Sequence, residues 1–294
     1  GAPRSTYGGA VARSPHPDDV VGVLAGLVQR PAPPAGENTI PDLPAYERCT
    51  LEELFPAPER VPVVEVRRRW HAFGLESRDA WFQSLHRPIE ERFARRYQAD
   101  RENHTVWARW IRPPGAAGRP RLLYLHGFMQ PETPIEEWAL LTTLATQLDV
   151  EVIQVQPPYH GRRKPRHCRF DGELYWTADV VRSIEALRQS LLDARTVLSW
   201  LLDQDDRPVG VAGLSLGGAL TAARTCLDPR FAFSAPPIAH MDLAAILAEV
   251  PVLESVRRQL AARDFGPADL GRLFDRAGWS QLVPRLPVDR IRIF

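Results

Sequence analysis

The sequence predicts an α/β protein whose mostly parallel sheet lies between two layers of helices. Two observations carry this reading. Short runs of β-branched and aromatic residues alternate with longer amphipathic runs of helical period, and Gly- or Pro-containing stretches separate them. The chain has 294 residues and 44% hydrophobic content, enough to bury a large core. Lys and Arg number 37 against 36 acidic residues, so net charge recruits neither nucleic acid nor an acidic partner. Cys49, Cys168 and Cys226 are odd in number and far apart, which argues against a disulfide framework and predicts a reducing, cytoplasmic setting. The apolar run Val20–Val28 is too short for a membrane span.

The elements follow in order. Residues 1–60 are Pro-rich and read as an extended or loosely packed N-terminal extension, with one short helix at Val20–Gln29 that Pro31, Pro33 and Pro34 end. The main domain is placed at 61–294. Val61–Trp70 reads as a first strand, Asp79–Tyr97 as a helix interrupted at Pro88, and His104–Ile111 as a β-branched and aromatic strand. After a turn at Pro113–Pro120 come a strand at Arg121–Leu125, a helix at Ile135–Leu148 and a strand at Val150–Gln156. Val180–Leu202 is the clearest helix, because Val180, Ile184, Leu187, Leu191, Ala194, Leu198 and Leu201 fall on one face. Val209–Ala212 is a strand, Leu216–Leu227 a helix and Phe231–Ala235 a strand. Two helices, Asp242–Arg263 and Pro267–Leu282, read as an insertion of about 242–282, and Ile291–Phe294 begins another strand.

The chemistry concentrates at Gly213-Leu214-Ser215-Leu216-Gly217, a G-x-S-x-G run between a buried strand and a helix. Small flanking residues let the chain turn sharply there and leave the serine hydroxyl protruding. Upstream, Leu-Tyr-Leu-His-Gly-Phe ends a strand at His126-Gly127. Together these resemble the nucleophile turn and the His-Gly-x loop of the α/β-hydrolase superfamily, most closely its bacterial, esterase-like members. The resemblance covers roughly residues 100–294 and implies a three-layer sheet with a helical cap. It implies Ser215 as nucleophile, with the Leu216 and Phe128 amides as oxyanion donors and Met129 as second choice to Phe128. It makes His126 and Gly127 supports of the donor loop. His160, in Pro157-Pro158-Tyr159-His160-Gly161, reads as either a pocket wall or a turn histidine bonded to backbone. The basic run Arg162, Arg163, Lys164, Arg166 and Arg169 reads as a solvated loop before it reads as an anion site. His160, His167 and Cys168 match no tetrahedral zinc spacing, so no metal is expected, and acyl transfer on serine needs no cofactor.

The superfamily order is serine, then acid, then histidine. His240 is the sole histidine after Ser215, and it precedes Asp242, the nearest acid. Both are read as pocket-lining. The triad acid and base are expected past Phe294, with the final strand or strands and helix, so the chain reads as C-terminally truncated. The expected activity is cleavage of a carboxylic ester, or a thioester or amide, on a small-molecule acyl substrate. The alternative is a non-catalytic protein of the same fold that binds or regulates. Oligomeric state is left open.

Overall fold

The computed structural model describes residues 43–292 apart from Ile238, His240 and Ala277. Two short helices come first, α1 (Leu43–Glu47) and α2 (Leu51–Leu54), the second closed by a capping box in which Thr50 and Glu53 bond each other's backbone. Next come β1 (Glu65–Ala72), β2 (Leu75–Gln83), α3 (Glu91–Tyr97), β3 (Thr105–Arg112) and β4 (Arg121–Leu125). From β4 the chain enters α4 (Pro134–Glu136), a π-helical turn (Glu137–Leu141) and α5 (Thr142–Gln147), then β5 (Glu151–Val155). The long α6 (Val180–Gln204), β6 (Val209–Gly213), α7 (Leu216–Leu227) and the two-residue β7 (Ser234–Ala235) follow. The helical run after β7 holds α8 (Leu243–Glu249), α9 (Glu254–Ala261) and α10 (Pro267–Arg276).

The seven strands stand in the order β1-β2-β3-β5-β4-β6-β7. Pairings from β5 to β7 are parallel and those from β1 to β5 antiparallel, so β2, β5, β4, β6 and β7 share one direction. Ile291 bridges Ser234 in parallel, beside β7. Alternation along the central strands sends side chains into two cores, which makes the fold three-layered. Val106, Leu123, Leu125, Ile153, Val155, Val209 and Val211 meet α6 and α7 on one face. Ile111, Leu122, Tyr124 and Val152 meet Leu141 and Ala145 on the other. Each such buried aliphatic side chain contributes about 1.5–3 kcal/mol relative to exposure.

Two sequence expectations are corrected here. Asp79–Gln83 belongs to β2, and only Glu91–Tyr97 of the expected helix is helical. The alternation of β2 was hidden because Ser77 and Asp79 occupy buried positions: Ser77 donates to Glu137 at 2.5 Å, and Arg109 donates to Asp79 at 3.0 Å. The described part of the Pro-rich stretch is also packed. Tyr46, Leu54 and Phe55 are buried, the Tyr46 hydroxyl donates to Glu185 at 2.9 Å, and Arg188 donates twice to the Leu54 carbonyl. The expected helix at Val20–Gln29, with the rest of 1–42, lies outside the described residues.

Candidate active site

The G-x-S-x-G run folds as a hairpin-sharp join of β6 to α7. Ser215 adopts φ 57° and ψ −117°, a region that side chains enter only under constraint. The constraint comes from the flanking glycines. A Cβ on Gly213 would lie 2.4 Å from the Leu125 carbonyl oxygen, and one on Gly217 would lie 1.8 Å from that same oxygen. Only bare backbone lets the turn press on the end of β4 this closely. Gly217 N–H bonds the Leu214 carbonyl at 2.9 Å and Ala219 N–H the Ser215 carbonyl at 3.0 Å, closing the turn. Ser215 is thereby left exposed beside Leu214, while Leu216 is buried. Among the described residues, nothing accepts a hydrogen bond from the Leu216 N–H, which opens α7.

Beside it lies the loop leaving β4. A Cβ on Gly127 would sit 3.3 Å from the Leu214 carbonyl oxygen and 3.8 Å from Ser215 Cβ, so the two loops are neighbours. Met129 is a second residue with left-handed backbone, at φ 62°. The Phe128 and Met129 N–H groups have no acceptor among the described residues. His126 is buried, and its Nδ1 donates to the Gly127 carbonyl at 2.9 Å, which leaves Nε2 as the lone-pair nitrogen. Burial lowers its pKa to about 4, so at neutral pH the ring is uncharged.

His160 sits behind this loop. It is fully buried, its Nδ1 donates to the Pro158 carbonyl at 2.8 Å, and its ring meets His126 edge-on at 5.2 Å and Phe128 at 6.1 Å. Burial holds its pKa well below the usual histidine range. The basic run is largely paired: Arg162 bonds Asp79, Arg163 bonds the buried Asp193, and Arg169 bonds Glu173. Asp242 accepts from the Ala245 N–H at 2.9 Å as the N-cap of α8, and it lines a cavity. His240 lies outside the described residues.

That cavity, of about 690 Å³ and open to solvent, is lined by α7, the run after β7 and Ile291, with Cys226, Phe274 and Trp279 on its walls. Neither Ser215 nor Phe128 lines it. Ala222, the lining residue of α7 nearest the serine, stands seven residues along the helix from it, about 10.5 Å at the helical rise. Leu243 and Ala244 of α8 and Phe274 of α10, helices expected as a cap, share this cavity with α7. Among the described residues, no helix is long and apolar enough to cross a membrane and no group of three or more His, Cys, Asp or Glu is placed to hold a metal ion.

Sequence reasoning did not find Gln130. Its side-chain oxygen accepts the Gly127 N–H at 3.0 Å, and its amide nitrogen reaches Glu136. No local pattern marks this residue, because its partner lies beyond a proline-containing loop.

Comparison with known proteins places this geometry. The model of the family Alpha/beta hydrolase domain containing 18 matches residues 47–252, more than half of the chain. Two uncharacterized proteins of Mycobacterium tuberculosis, MT2702 and Rv2627c, are each 27% identical over 151 residues, 49% of this chain and 35% of the relative. The match thus spans about a third of the length of these curated relatives. Acetyl xylan esterase 1 from Thermoanaerobacterium sp. superposes with a TM-score of 0.54 at 16% identity, over 84% of this chain and 74% of the esterase, a likeness of fold. The serine turn between β6 and α7, the sheet order and the family match together show that the chain belongs to the Alpha/beta hydrolase domain containing 18 family of the α/β-hydrolase superfamily.

Proposed function

We propose that Ser215 is the nucleophile of a serine hydrolase that cleaves a carboxylic ester, or a thioester or amide, of a small acyl substrate. One observation carries this reading. Ser215 is held exposed in a left-handed conformation at a strand–helix turn, next to backbone N–H groups that have no partner among the described residues. A structural serine gains nothing from such a conformation, whose cost is about 1–3 kcal/mol.

In this reading Ser215 Oγ bonds to the substrate carbonyl carbon and its proton passes to a general base. Negative charge then builds on the carbonyl oxygen, where the Leu216 and Phe128 N–H groups receive it. Each such donor is worth about 2.7–4 kcal/mol. Collapse of the intermediate expels the alcohol, thiol or amine, which leaves with that proton. Water then attacks the acyl-serine, releasing the acid and restoring the hydroxyl.

Neither of the two histidines beside the donor loop suits the role of base. His126 and His160 are each committed through Nδ1 to a backbone carbonyl, and burial lowers the proton affinity of both. Those contacts support a role in shaping the donor loop. The test is covalent labelling of the full-length protein with a fluorophosphonate. Labelling that disappears in Ser215→Ala supports the hydrolase; a wild-type protein that takes no label at all points instead to a binding or regulatory member of the fold.

A further inference from the structure

We infer that Gln130, held by Glu136, is a positioning residue that aims the donor loop at Ser215. This deepens the serine-hydrolase reading and rests on it. The loop Gly127–Gln130 has few anchors of its own. One is a 3.4 Å bond from the Gln130 N–H to the Gly127 carbonyl, and another is the His126 ring on that same carbonyl. The Gly127 N–H, one peptide before Phe128, is fixed by the side chain of Gln130 at 3.0 Å. That bond fixes the His126–Gly127 peptide, while the next peptide, which carries the Phe128 N–H, is held through the Gly127 carbonyl by the Gln130 N–H and His126 Nδ1, so Gln130 grips both planes that lead to the donor.

Gln130 needs support to do this, since a free glutamine side chain has many rotamers. Glu136 supplies the support. Its Oε1 accepts from Gln130 Nε2 and, at 2.7 Å, from Gln154 Nε2 on β5. Glu136 is itself fixed on α4, whose Thr133 cap accepts the Glu136 N–H at 3.1 Å. A chain of hydrogen bonds therefore runs from the sheet through Gln154, Glu136 and Gln130 to the peptide beside the proposed oxyanion donor. A neutral amide fits the middle link without taking up a proton, because it accepts from Gly127 and donates to Glu136 at once. The Phe128 and Met129 N–H groups are left unclaimed by this network.

The test measures fluorophosphonate labelling of the full-length protein over a range of probe concentrations. Gln130→Ala is expected to lower the saturating rate on the order of 10- to 100-fold, the effect of misplacing a site by up to an ångström. The half-saturating probe concentration should move less than about twofold, since binding is untouched. Glu136→Ala should behave alike, while Glu136→Gln keeps an acceptor and should restore most of the rate.

Gln130→Glu adds a pH readout that a merely structural role would not show. Two carboxyls would then face each other at this spot, with Glu132 from the same loop, Arg109 from β3 and His126 from the end of β4 also facing it. Sharing one proton restores the donor and the acceptor, so the variant should regain rate as pH falls and lose it as pH rises. Urea midpoints identify any variant that is simply unfolded, and the remaining variants then decide. Wild-type labelling with unchanged rates in Gln130→Ala, or a Gln130→Glu profile parallel to wild type, overturns the positioning role. Absence of labelling in the wild type overturns the nucleophile reading first and this role with it.

Discussion

Gly217→Ala tests the contact on which the serine turn is built. The added methyl would stand 1.8 Å from the Leu125 carbonyl oxygen, well inside the 3.0 Å that Cβ atoms essentially never breach. The obstacle is backbone on both sides, so neither partner can swing away; β4 and the turn must part by about 1.2 Å. Overpacking of this kind costs about 1–3 kcal/mol, and the rigid neighbour puts this case at the upper end. Two readouts follow. The urea midpoint should fall by about 1 M, given a slope of a few kcal/mol per molar. Fluorophosphonate labelling of Ser215 should slow on the order of 100-fold, because the serine and the donor loop leaving β4 separate by an ångström. An alanine variant with wild-type midpoint and wild-type labelling would refute the idea that close backbone contact with β4 sets the turn.

Gly271 lies inside α10 with nothing within 4 Å of a built Cβ, so Gly271→Ala should raise stability by about 0.5–1 kcal/mol, read as a higher Tm. Arg163 and Asp193 form a 2.8 Å pair with both side chains excluded from solvent. Asp193→Asn alone should cost about 3–5 kcal/mol in urea unfolding, whereas Arg163→Met with Asp193→Leu should cost clearly less, because no lone charge stays buried. His126 is held near pKa 4 by burial, against an ordinary value of 6.5. The unfolded chain therefore binds its proton first as pH falls, and stability drops between pH 6.5 and 4 by about 3 kcal/mol at most from this residue. His126→Phe should flatten that part of the stability–pH curve; an unchanged slope would show that His126 titrates normally in the folded protein.

The serine turn was readable because its signal is steric and local. Gly213 and Gly217 mark places where no side chain fits, and Leu216–Leu227 begins its apolar period at once. The central strands were readable for a similar reason: β4 and β5 are buried at every position, and Leu122–Leu125 and Val152–Ile153 form short apolar, partly β-branched runs flanked by turns. β2 was not, since Ser77 and Asp79 look like surface residues until Glu137 and Arg109 arrive from 60 and 30 residues away. Gln130 and Glu136 were hidden in the same way. Their role lies in a chain of hydrogen bonds that closes only once β5 brings Gln154 alongside. His160 divided the sequence reading between a pocket wall and a turn histidine, and the bond to Pro158 is what distinguishes the two.

The polar stripe of α6 bears on how the chain assembles. Glu185, Arg188 and Arg195 lie buried, and all three are met by residues 46–55. Those residues leave the ribosome long before their partners, since 139 positions separate Tyr46 from Glu185. At ordinary translation speed that interval is roughly 7–28 s. Through it Leu54 and Phe55 have no helix to cover them. A nascent chain arrested before Glu185 should therefore present this segment to a chaperone, and one arrested well after it should not.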